Sequence, residues 1–300
     1  KGRYFWDKRS IVTFDSAESN FTKAIELDPN YALAYAGLAD CFIYNQKGLS
    51  QTEAIPIARD YANKALNLDS TLAEPLATLG FIQSDYDYDW KNAKLTLEKA
   101  LKLNPNYTYS HIYYGNLLQF TGENTERGIE EIKKARRLDP LSVSINWVLG
   151  RNYYYAGKMD SAEEQLRKTI GISSQYPYAK VTLAYVLLSK KKYNEAFDII
   201  KQIPLSGNIT NNEYRSQILS YAYAISGNIE RAKKELTLLL NENSFKGHYQ
   251  IATIYTALKE FDPAISELNK AYQDREITMY FIKVDPVFSP LRSEPGFHEL

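Results

Sequence analysis

Three hundred residues, 44% of them apolar and 24% charged, describe a soluble globular chain long enough for about two ordinary domains. Lys+Arg and Asp+Glu number 36 each, so the net charge is zero, and the basic excess from which nucleic-acid binders draw their affinity is missing. A single cysteine, Cys41, excludes an internal disulfide and a multi-cysteine zinc site, and no apolar run approaches the ~18 residues of a membrane span.

From the N-terminus onward, small residues return at a steady interval: Ala17, Ala58, Ala93, Gly128, Ala162, Ala196, Ala232 and Ala264, with steps of 41, 35, 35, 34, 34, 36 and 32 residues. A second series runs in register: Ala39, Gly80, Gly115, Gly150, Ala184, Ser220 and Ala252. Units of about 34 residues with two such ladders predict stacked pairs of antiparallel helices, each small residue letting the partner backbone come close. The bulky apolar residues around these sites fall at helical spacing, as at Leu149, Tyr153 and Leu166, then Leu183, Leu187 and Ile200.

The first unit opens with an atypical helix and closes at Pro29. The second contains a long turn from about Asn45 to Ile57, which accounts for the 41-residue step; Ser50-x-x-Glu53 has a capping-box pattern, and Pro56 suits the first turn of a helix. Ser84-Asp85-Tyr86-Asp87-Tyr88-Asp89-Trp90 forms the turn of the third. Pro105 and Pro140 end second helices, while Gly122, Gly157 and Gly227 stand where a first helix must turn back. Ser161-x-x-Glu164 is a second capping-box pattern. After Ala271 the sequence predicts a terminal segment (275–300), interrupted by Pro286, Pro290 and Pro295; Phe281, Val287, Phe288 and Leu291 supply an apolar cap for the last helices.

These residues resemble the tetratricopeptide-repeat (TPR) family, whose unit has a small residue early in helix A, Ala in helix B and a terminal Pro. Asn146-x-x-Leu149-Gly150-x-x-Tyr153, Ala162-x3-Leu166 and Asp139-Pro140 fit that pattern. The family's Trp near the start of helix A is replaced by Tyr35, Leu76, His111 and Asn146; Thr169, Ile203 and Leu239 stand in place of a late Ala, and Ser70 and Ser174 in place of Pro. The resemblance implies an all-α, right-handed superhelical solenoid of about eight units over residues 1–274, followed by the capping segment. The opening Lys1–Arg9, the stretch Ala24–Ala39 and the ending Val284–Pro295 resemble the C-terminal TPR regions of bacterial multidomain signalling proteins, which follow a winged-helix, nucleotide-cyclase or kinase domain. A chain that begins with Lys1 and stops at Phe297-His298-Glu299-Leu300 in helical sequence reads as a piece of a longer protein.

Catalytic and metal chemistry find little support. Asp85, Asp87 and Asp89 alternate like the start of a calcium loop, but Trp90 occupies the sixth position and Thr96 the twelfth, where that geometry uses Gly and Glu; a polar turn is expected. His111, His248 and His298 lie in different units, without the spacing of a helical metal site. No phosphate loop, nucleophile elbow or Cys/His pair is present, so no enzyme activity and no cofactor are expected. The basic runs Lys133–Arg137 and Lys190–Lys192 read as solvated faces, and Cys41 reads as core.

The 25 tyrosines are the richer signal. In the TPR fold the first helices line a concave groove, and carrying that face over gives Tyr44, Phe81, Tyr109, Asn116, Phe120, Trp147, Arg151, Tyr154, Tyr155, Tyr178, Tyr185, Tyr214, Tyr221 and Tyr249. Rigid aromatic area with hydrogen-bonding tips suits a protein or peptide partner. The Lys, Asn and Arg clamp of chaperone-binding TPRs is not assembled, since Ile112, Asn116, Trp147 and Arg151 occupy its positions. The expected role is a cytoplasmic interaction scaffold, the regulatory arm of a bacterial signalling or transcription-regulating protein, with a small-molecule sensor as the alternative. Zero net charge argues against nucleic acid, and the sequence fixes no oligomeric state.

Overall fold

Apolar residues at i, i+3, i+4 and i+7 can bury one helical face only against another helix, so a chain patterned in this way builds helix pairs. A computed structural model describes residues 11–44, 49–203, 209–241 and 247–300, with the side chains of 11–14 and 209–214 excepted. The described residues form helices and turns without a strand, and they divide into two units, Lys1–Ile145 and Asn146–Leu300.

In the first unit, α1 (Ile11–Leu27), α2 (Ala32–Tyr44), α3 (Gln51–Leu68), α4 (Glu74–Phe81), α5 (Trp90–Leu103), α6 (Thr108–Phe120) and α7 (Thr125–Leu138) pack in succession. The small-residue ladders sit at the closest approaches. A Cβ on Gly115 would stand 2.6 Å from the Gly128 carbonyl oxygen, and one on Gly128 would stand 2.5 Å from that of Gly115, so α6 and α7 meet backbone to backbone. Pro29, Pro105 and Pro140 fall just past the ends of α1, α5 and α7, as their missing N–H requires.

The second unit contains most of α8 (Val143–Tyr155), then α9 (Met159–Ile172), α10 (Pro177–Ser189), α11 (Tyr193–Lys201), α12 (Ile209–Ile225), α13 (Ile229–Asn241), α14 (His248–Ala257) and α15 (Phe261–Gln273). Ser220 uses its place in the ladder to donate to the Ala232 carbonyl, 2.8 Å away, joining α12 to α13. Two 3-10 segments, Ile277–Phe281 and Pro286–Leu291, and the short α16 (Pro295–His298) complete the chain. Phe288 and Leu291 are fully buried in one cluster with Ala252, Ala264, Leu268 and Ala271.

The turn from first to second helix recurs with one residue in the left-handed region. Gly122, Gly157 and Gly227 take it at φ of 76°, 72° and 88°, and Lys191 and Lys259 take it at 58° and 61°. A lysine accepts that conformation at roughly 1–2 kcal/mol, which glycine avoids.

Two local expectations need correction. The turn of the second repeat is shorter than 45–57, because α3 begins at Gln51 and Pro56 lies inside it; Asn45–Gly48 lie outside the described residues. The Ser50 N–H donates to Glu53 Oε2 at 2.8 Å, so the capping box itself starts the helix. The second box does not form: α9 starts at Met159, and Ser161 sits within its first turn. The opening Lys1–Arg9 lies outside the described residues.

Candidate functional site

Helical spacing brings one face of each first helix in the second unit onto a common wall. Trp147, Arg151, Tyr154 and Tyr155 project from α8; Tyr178, Val181, Thr182 and Tyr185 from α10; Gln217 from α12; and Tyr249, Gln250 and Thr253 from α14. The C-terminal segment folds across them and adds Thr278, Phe281, Asp285 and Val287. Together they enclose a half-open cavity of about 220 Å³. Phe281 stacks on Tyr155 with ring centroids 4.9 Å apart and planes inclined 17°. The Arg151 guanidinium lies 4.9 Å from the Trp147 ring and 5.0 Å from that of Phe281, a double cation–π contact.

Side-chain hydrogen bonds hold this wall in place. Trp147 Nε1 donates to Thr182 Oγ1 at 3.0 Å, and Gln217 Nε2 donates to the Tyr185 hydroxyl at 3.2 Å. Asp285 is 5% exposed; its Oδ1 accepts from the Val287 N–H at 3.0 Å and its Oδ2 from the Tyr249 hydroxyl at 2.9 Å. Burial pushes this carboxyl up to about 6, against the opposing pull of the Val287 N–H, the Tyr249 hydroxyl and the Arg292 charge. Burial, and then the neighbouring Asp285, raise Tyr154, Tyr155 and Tyr249 well above the ordinary tyrosine range. The Tyr154 hydroxyl adds a smaller pull on Asp285, yet it makes no hydrogen bond of normal length and angle.

The groove residues read from the sequence separate by depth. Trp147, Arg151, Tyr154, Tyr155, Tyr178, Tyr185 and Tyr249 line the cavity. Tyr221 backs it, its ring 4.9 Å from that of Tyr185, and the side chain of Tyr214 lies outside the described residues. In the first unit, Phe81, Tyr109, Asn116 and Phe120 are buried, so they stand behind the surface. Phe81 packs between Tyr44 at 5.9 Å and Tyr113 at 5.1 Å, and the Tyr44 and Tyr113 hydroxyls meet at 2.8 Å. Tyr44 alone of this set is exposed there. Asp285 and Thr278 gave no signal in sequence, because the segment carrying them reaches the site only by folding back.

The remaining candidates resolve into structural roles. Asp87 pairs with Arg59 at 2.8 Å, and Asp89 caps α5 through the Asn92 N–H at 3.2 Å. Buried Asp85 bonds to Ser84. His111 is held between Glu131 (2.7 Å) and the Pro105 carbonyl (2.7 Å), and His248 by Glu267 at 2.6 Å, while His298 is exposed. Among the described residues no group of three His, Cys, Asp or Glu is placed to hold a metal. Lys133 and Lys134 pair with Glu130 and Glu131, and Lys190 and Lys192 converge on Glu163, so these basic runs meet carboxylates of their own chain. Cys41 is buried. Among the described residues no helix is long and apolar enough to cross a membrane.

Comparison with known proteins agrees with this architecture. Residues 245–273, which span α14 and α15, match the tetratricopeptide-repeat family model. The transcriptional regulator HilA of Salmonella paratyphi A is 25% identical over 167 residues, or 54% of this chain; the match spans 29% of HilA's length. Among solved structures, a tetratricopeptide-repeat protein from Parabacteroides merdae superposes with a TM-score of 0.57 at 17% identity, covering 82% of this chain and 97% of the other. PilF of Pseudomonas aeruginosa superposes with a TM-score of 0.53 at 19% identity, covering 77% and 96%. The chain has the helical-solenoid fold of tetratricopeptide-repeat proteins, and its residues 245–273 match the repeat itself.

Proposed function

We propose that the second unit binds an extended segment of a partner protein along the inner faces of α8, α10, α12 and α14, with one partner side chain inserted into the aromatic cavity. Tetratricopeptide repeats are generally protein-interaction scaffolds, and the observation that carries the reading here is the cavity itself. Its walls are rigid aromatic rings around a few polar groups, the composition of interface hot spots and small binding sites. The similarity to HilA supports a place within a cytoplasmic, transcription-regulating or signalling protein of a bacterium, with this chain acting as a regulatory arm and performing no catalysis.

A random peptide library displayed on phage and selected against the chain tests the reading. Peptides whose binding is lost in the Trp147→Ala/Tyr178→Ala double variant support it. Peptides that bind both proteins equally place recognition elsewhere and refute it.

A further inference from the structure

The cavity of the second unit is mostly apolar, yet two of its polar groups are incompletely matched. A carboxylate has about four acceptor sites, and Asp285 fills two of them, with Val287 and Tyr249. Among the described residues, none places a cationic nitrogen at ion-pair distance from its carboxylate; the Arg292 guanidinium donates to the Asp285 backbone carbonyl, at 3.4 Å, and reaches the carboxylate by its charge alone. Tyr154, 4% exposed, lines the same cavity; its hydroxyl acts on Asp285 but makes no hydrogen bond of normal length and angle. Buried groups of this kind are costly unless something meets them.

We infer that the cavity binds a primary ammonium group on a short aliphatic stem, its charge facing Asp285 and one of its protons donated to the Tyr154 hydroxyl oxygen. An ammonium carries three donors and no acceptor, which matches a carboxylate with open sites and a hydroxyl with free lone pairs. Trp147, Tyr155, Tyr178 and Tyr185 present aromatic rings to the stem and to the charge. A four-carbon stem with its head group fits a cavity of about 220 Å³. Arg151, already stacked on Trp147 and Phe281 in the same wall, opposes a second positive charge. The inference rests on the cavity being the partner's site: within a partner this group is a lysine side chain, and a free monoamine offers the same chemistry.

The test titrates the whole chain with n-butylammonium chloride and with n-butanol, following tryptophan fluorescence and tyrosine NMR shifts. Butylammonium is expected to bind saturably and butanol at least tenfold more weakly. Asp285→Asn is expected to lower butylammonium affinity about tenfold or more and Tyr154→Phe severalfold, both remaining folded by their melting curves. Equal binding of butanol, or wild-type affinity in both variants, overturns the assignment. The peptides selected for the groove separate the two readings. Pocket-dependent peptides that keep their affinity when every lysine becomes norleucine refute the ammonium and leave the groove. Butylammonium binding with no pocket-dependent peptide keeps the ammonium site, assigns it to a free amine and refutes the groove.

Discussion

Replacing Asp285 by Asn should stabilise the unliganded chain at neutral pH, although it removes a charged residue with two good hydrogen bonds. The carboxyl titrates at about 6 in the folded chain against an ordinary 3.8, because burial disfavours its charged form. Between those two values the folded state holds more protons than the unfolded state, so stability falls as pH rises from about 4 and levels off above 6. A shift of about two units corresponds to roughly 3 kcal/mol of lost stability at pH 7. Asn keeps an acceptor for the Val287 N–H and offers its amide to the Tyr249 hydroxyl oxygen, so most of the local bonding survives. A net gain of about 1–3 kcal/mol at pH 7, vanishing near pH 4, is therefore expected. Urea unfolding of wild type and variant across pH 4–8 measures it, with hydrogen exchange in α14 isolating the second unit, since repeat arrays need not unfold as a single step. A loss of stability at pH 7, or a difference independent of pH, would mean that Asp285 is charge-matched in the folded chain.

Further predictions concern the scaffold. Gly128→Ala sets a Cβ 2.5 Å from the Gly115 carbonyl oxygen, so α6 and α7 must separate; a loss of about 3 kcal/mol in urea unfolding is expected, and an unchanged midpoint would contradict the packing described. Gly157→Ala meets open space but keeps φ at +72°, so it should cost only about 1 kcal/mol, and the ratio of the two losses separates crowding from backbone strain. Burial raises Glu163, but Lys190, Arg167 and Lys192 outweigh it and hold the carboxyl down to about 2. Its stabilising contribution is therefore complete above its ordinary 4.5 and is lost as pH falls towards 2. Glu163→Gln should cost about 1 kcal/mol at pH 7, less in high salt and nothing at pH 2, a pattern that denaturation at the three conditions reads directly.

How much was legible in the sequence depends on how local each signal is. The ladders of small residues placed the helix contacts, because close approach leaves no choice beyond Gly, Ala and Ser at sites such as Gly115 and Gly128. Glycine revealed three of the left-handed turns, but Lys191 and Lys259 take the same conformation unannounced, since a lysine carries no mark of the strain it bears. The start of α3 was encoded at Ser50 and Glu53, and the proline within its sixth residue obscured it. The groove face carried over from the TPR resemblance includes residues of α8, α10 and α14 that line one cavity. Helical spacing could not distinguish a ring on the surface from one beneath it, so Phe81 and Tyr109 in the first unit are buried while Trp147 and Tyr178 in the second line a cavity. Asp285 lay beyond local reasoning, because its hydrogen-bond partner Tyr249 is remote in the chain and meets it only through the fold of the C-terminal segment.

The most direct test of the binding site is a crystal structure of the chain with a peptide selected against it. The peptide is expected along the inner faces of α8, α10, α12 and α14, with one side chain between Trp147, Tyr155 and Tyr178 and its tip at Asp285. A peptide seated on α9, α11 or α13, with the cavity left open, would contradict it.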